Sequence, residues 1–117
     1  MSANCSAPEL TSLDKFVQQN PNCVVFIKKV HDTSCDKLIE TLRDERKRPA
    51  GEVAWISKSA CPAFVGRHKI RGDRNVVIFY GGLPVKRIMG GIPPLASLIS
   101  TMREVMTDKK AAPTPER

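Results

Sequence analysis

The sequence predicts an α/β domain in which a mixed sheet is flanked by helices, in the order αβαβαββα. Three observations predict it. Cys23-Val24-Val25-Phe26-Ile27 is an unbroken apolar, β-branched run, the pattern of a strand buried on both faces and so central in its sheet. Segments before and after it, and again near the end of the chain, repeat apolar residues at intervals of three and four, the period of a helix with one buried face. Residues 75–80 (NVVIFY), Gly81-Gly82 and 83–89 (LPVKRIM) read as two strands joined by a tight glycine turn. Strands interleaved with helices imply a right-handed crossover between the first two strands and helices on both faces of the sheet.

In chain order, Thr11 with Asp14 three residues on is the expected N-cap of the first helix. Leu10, Leu13, Phe16 and Val17 lie at helical spacing, and Asn20-Pro21-Asn22 should end it. The Cys23–Ile27 strand follows. Cys35, Leu38, Ile39 and Leu42 then form the apolar stripe of a second helix running to about Arg46, stopped by residues 47–51 (KRPAG). Glu52–Ile56 is the next strand. Pro62 suits the first position of a short helix to His68. After the hairpin, Leu95, Leu98, Ile99, Met102 and Val105 mark the clearest amphipathic helix, from Pro93 or Pro94 to Met106. We therefore read residues 1–9 as an N-terminal extension, 10–107 as one domain and 108–117 as a polar tail that is disordered on its own.

Nineteen Lys and Arg against twelve Asp and Glu give a formal charge of +7, which favours acidic partners, nucleic-acid phosphates included. Four Phe, one Tyr and one Trp are few for a dedicated single-strand binder. No stretch has the length of a membrane span, and the N-terminus has neither a basic nor an apolar leader region, so a soluble, intracellular protein is expected. Cys5, Cys23, Cys35 and Cys61 stand apart, without C-x-x-C or zinc spacing; reduced thiols are the default. There is no phosphate-binding loop, nucleotide fingerprint or serine triad motif.

Residues 28–40 (KKVHDTSCDKLIE) join the first strand to the second helix and hold one cysteine, with Asp32 three residues before it. This join and its flanks resemble the thioredoxin family over roughly Leu10 to Met106. VVFIKKVHDTSC is similar to that family's strand and active-site turn, ACPAFVGRHKIRGDRNVVIFYGG to its third helix, substrate loop and hairpin strand, and VKRIMGGIP to its last strand and glycine loop. The resemblance implies a thioredoxin-like sheet whose first strand is short or absent here, because few residues precede the first helix. It also places Cys35 on the second cysteine of the family's C-x-x-C, Asp32 on the nucleophilic first, His31 before it, Arg74 on the cis-proline and Phe26 on the buried acid. Dithiol exchange needs a low-pKa thiolate to attack and a second thiol to resolve, and a carboxylate does neither. The Asp-x-x-Cys turn is similar to that of the spliceosomal thioredoxin-like proteins, which are non-redox assembly subunits.

Each candidate has a plainer role beside it. Cys35 lies on an apolar stripe, where a thiol packs as a small hydrophobe; a helix N-terminus would lower its pKa and the nearby carboxylate would oppose that. Asp32 just before a helix is placed to cap it. His31, Cys35, Cys61 and His68 lack the spacing of a metal set, Arg71-Gly72-Asp73 reads as a basic turn, and Arg43 to Pro49 as a solvated helix end. The resulting expectation is a binding or scaffold subunit of a larger protein or ribonucleoprotein assembly, with no cofactor and no metal. Its partners are proteins, with RNA or another acidic surface as the other class. The competing expectation is an atypical redox protein working through Cys35 alone. The resemblance puts the binding groove between three loops, His31–Cys35, Gly72–Asn75 and Met89–Ile92, with Gly90 and Gly91 letting backbone approach a partner. Lys28, Lys29, Arg71 and Arg74 should make it basic, and an Asp32–Arg74 ion pair, or one through Arg71, should replace the lost cysteine and proline. Leu83–Met89, the expected sheet edge, is the competing surface.

Overall fold

The computed structural model of this chain describes residues 9–44, 51–89, 91 and 93–107. All six residues of β1 (Cys23–Lys28) are buried, and the strand lies inside the sheet, between β2 (Glu52–Ser57) and β3 (Arg74–Tyr80). β1 pairs parallel with β2, Phe26 opposite Trp55, and antiparallel with β3, Phe26 opposite Val76. β4 (Leu83–Met89) pairs antiparallel with β3 and closes the order β2-β1-β3-β4 as an edge.

Alternation along the buried strands divides the core in two. Val24, Phe26, Val53, Trp55, Val76 and Ile78 face α2 (Thr33–Asp44) and α4 (Leu95–Thr107), where Ile39, Leu42, Leu98 and Met102 complete the packing. Cys23, Val25, Ile27, Ile56, Val77 and Phe79 face α1 (Leu13–Gln19) and α3 (Pro62–His68). Phe26 is fully buried, and truncating such a residue to alanine costs about 3–5 kcal/mol.

The strand expected to be short or absent survives as a single parallel bridge from Glu9 to Trp55, with Leu10 N–H donating to Trp55 C=O at 2.9 Å. The cap of α1 is one residue later than expected: Ser12, not Thr11, accepts from Lys15 N–H at 3.3 Å. α3 starts at Pro62 as expected and ends on Lys69, whose left-handed conformation (φ 53°) is one more usual for glycine. The β3–β4 turn does use glycine: Gly81 and Gly82 have φ of 63° and 84°, and their N–H groups donate to Asn22 Oδ1 and Pro21 C=O. A short 3-10 turn, Lys58–Ala60, was not foreseen. The stop expected at residues 47–51 falls mostly outside the described residues, as does the tail. No helix among the described residues is long and apolar enough to cross a membrane.

Candidate functional site: a cleft lined by ion pairs

β1 and β3 are antiparallel neighbours, so the turn after β1 and the loop before β3 meet at one end of the sheet. Between them lies a cleft of about 680 Å³, lined by Lys29, His31, Asp32, Thr33, Ser34, Gly72, Asp73, Arg74 and Gly91. The third expected loop contributes Gly91; Gly90 lies outside the described residues. Arg71 is displaced from the cleft and lines a neighbouring hollow with Lys69, Gly72 and Met89.

Asp32 is the pivot. Its Oδ1 accepts the N–H of Cys35 at 3.3 Å, capping α2 where three donors would otherwise lack partners. From across the cleft Arg74 donates Nε to Oδ2 at 2.8 Å and Nη2 to Oδ1 at 3.2 Å, a two-pronged clasp. The expected Asp32–Arg74 pair is thus present, with the Asp32 side chain nearly covered and the Arg74 side chain about half exposed. Partial burial draws the Asp32 carboxyl upward, but the Arg74 hydrogen bond, the Cys35 N–H and the guanidinium charge outweigh it. The carboxyl therefore lies below the usual carboxylate range.

Cys35 is fully buried beneath this turn. Burial first, and then the Asp32 charge, push its thiol up to about 12, so at neutral pH it is neither a thiolate nor accessible. Cys23 and Cys61 are likewise buried, and burial raises both. Among the described residues no three His, Cys, Asp or Glu gather as metal ligands.

Two expectations about charge are corrected. Lys28 does not face the cleft: it is fully buried, with Nζ 2.8 Å from Asp36 Oδ1, donating to Lys29 C=O at 2.7 Å and Val30 C=O at 3.2 Å, and 3.9 Å from the centre of the Trp55 ring. Nor is the cleft basic. Lys29 pairs with Asp73 at 3.5 Å and Arg74 with Asp32, so each lining cation has an acid beside it. Asp73 was missed because it was read as part of a basic turn; it is the only acid between Glu52 and Glu104, which was a signal available in the sequence. Val30, about half exposed beside the cleft residues, was also missed.

No protein-family model matches the chain, and no curated protein matches it in sequence. Its fold does match solved structures. The solution structure of reduced desulfothioredoxin from Desulfovibrio vulgaris Hildenborough superposes with a TM-score of 0.70 at 13% identity, over 86% of this chain and 99% of that one. A mutant thioredoxin from Halobacterium salinarum NRC-1 gives 0.69 at 19% identity, over 89% and 95%. The crystal structure of a designed protein gives 0.65 at 20%, over 97% and 99%. At these identities the likeness establishes the thioredoxin-like fold alone.

Proposed function

We propose that this chain is a non-catalytic, thioredoxin-fold binding subunit of a larger protein or ribonucleoprotein assembly. The observation that supports it is the state of Asp32. This carboxylate is held at once by the α2 cap and by Arg74, above a thiol that is buried and protonated at neutral pH. A group so engaged does not attack a disulfide, and no accessible thiol stands by among the described residues.

What the cleft retains is a surface. His31, Asp32, Arg74 and Gly91 line a polar depression, and Val30 beside them supplies an apolar contact. In this reading they receive a partner segment, with Arg71 at the margin and Cys35 as the packing beneath. Because the cations there are paired, recognition relies on hydrogen bonding and shape more than on bulk charge.

The test is dithiothreitol-driven reduction of insulin, run with native-state alkylation of the thiols. We expect no turnover above background and a Cys35 that resists alkylation until unfolding. Turnover that disappears in Cys35→Ser would overturn the reading.

A further inference from the structure

The positive charge is not spread along the chain. Residues 53–103 carry eight Lys or Arg and one acid, Asp73, so this segment alone accounts for the net +7, and the flanking segments are balanced. Asp73 is engaged by Lys29, and Arg74 by Asp32. Five others, Arg67, Lys69, Arg71, Lys86 and Arg87, are exposed and sit on the last turn of α3, the loop after it and β4.

All five border the β4 edge, Arg87 on its α3 side and Lys86, opposite Ile78, on its α4 side. Arg87 and Met89 stand opposite Val77 and Asn75, and Val77 faces α3; Arg87 Nη1 approaches His68 Nδ1 at 2.8 Å. Lys69, Arg71 and Met89 line a hollow of about 550 Å³ at one end of β4, while Arg67, His68 and Leu83 border one of about 450 Å³ at the other. β4 is the sheet edge, and no described strand pairs with its outer side. Of the three large apolar side chains that are exposed among the described residues, two are on this strand: Leu83 (46%) near its start and Met89 (45%) at its end.

We propose that the outer edge of β4 receives an acidic, extended protein segment as a fifth strand. Backbone hydrogen bonds along the edge supply the pairing, Leu83 and Met89 are the apolar anchors, and Lys69, Arg71, Lys86 and Arg87 select for acidic side chains. A second copy of this chain is disfavoured, since self-pairing would set Lys86 and Arg87 against the same cations. RNA is disfavoured because no described Phe, Tyr or Trp side chain is exposed to stack on its bases. The proposal rests on the binding-subunit reading and assigns that subunit a second surface, apart from the cleft, with its own partner chemistry.

The experiment uses the full-length, isotope-labelled protein and a short peptide alternating Glu with Val, followed by amide chemical shifts. We expect shifts concentrated on Leu83–Met89 and weaker binding as salt rises. Lys86→Glu with Arg87→Glu should weaken binding at least about tenfold, while Lys37→Glu on α2 leaves it unchanged. The same peptide with alternate backbone nitrogens methylated keeps its charge and loses its pairing, so it should not bind. Equal binding of the methylated peptide overturns strand addition. Shifts confined to Lys29–Ser34 and Gly72–Arg74, no shifts at millimolar peptide, or tighter binding of oligouridine at the same rim each overturn the edge assignment. All of these leave the binding-subunit reading standing, which falls separately if Cys35-dependent disulfide turnover is found.

Discussion

Removing the Asp36 carboxylate should destabilise this protein far more than the loss of an ordinary helix acid. Lys28 Nζ has three N–H donors and three acceptors within reach, the Asp36 carboxylate and the carbonyls of Lys29 and Val30, with the Trp55 ring on a further side. Asp36→Ala leaves the ammonium fully buried without its counter-charge. Breaking a buried pair in this way costs about 3–5 kcal/mol. The two carbonyls and the ring remain, the latter worth about 1–2 kcal/mol when desolvated, so the lower end, about 3 kcal/mol, is expected. A domain of this size has about 5–15 kcal/mol in all, so the midpoint of thermal unfolding should fall by about 12 °C. Urea titration at pH 7 followed by circular dichroism measures the loss, with an unchanged slope as the sign that only stability moved. The double variant Lys28→Met, Asp36→Leu removes both charges and should recover most of the deficit. The reasoning is refuted if Asp36→Ala costs less than about 1 kcal/mol, the value of a solvated pair, or if the double variant is no better than the single.

Asp32→Ala should cost about 1 kcal/mol through the lost α2 cap. Because the folded carboxyl sits below its ordinary value, the stability linked to its charge is present above the ordinary carboxylate pKa and is lost as pH falls through the lowered folded value. The gap between wild type and Asp32→Asn should therefore be constant from pH 7 to 5 and shrink below about 4 in acid-unfolding curves. His68 is lowered by burial and then by Arg87 and Arg67, so the folded state disfavours its protonation. Stability should decline as pH drops from 6.5, the ordinary value, toward the depressed one, and His68→Gln should flatten that decline. Lys69→Gly should stabilise by about 0.5–1 kcal/mol by relieving the left-handed C-cap of α3, read by urea titration.

Much of the fold was legible because local pattern and tertiary role coincide. β1 could be read from five consecutive apolar residues because burial on both faces removes the need for alternation. α3 could be bounded because proline is favourable at a first turn and nowhere later. The Asp32–Arg74 pair followed from the resemblance, which sets two distant loops face to face. What escaped depended on partners from other elements. Nothing local distinguishes Lys28 from Lys29, yet one points into the core because Asp36 and Trp55 meet it there, and the other points out. Lys28 therefore does not reach the cleft that Lys29 lines. Thr11 and Ser12 are both competent caps, and the neighbouring hydrogen bond from Leu10 N–H to Trp55 C=O ties the incoming chain just before them. The cleft's electroneutrality could not be summed from residue types either, because it depends on Lys29 reaching Asp73 across the gap.

The two sides of the sheet are not equivalent. Along β2 the rim is partly occupied, since Leu10 N–H bonds to Trp55 C=O and Glu9 Oε2 accepts the N–H of Ser57 at 2.8 Å. Growth by edge-to-edge stacking needs a vacancy at both ends of each copy, one to give and one to receive. Among the described residues the β4 side is the edge with no such contacts, so head-to-tail growth of the sheet would have to displace the Glu9–Trp55 bridge at each step. A sheet with one bridged rim and one basic open edge is thus a poorer template for edge-to-edge growth than a sheet open on both sides.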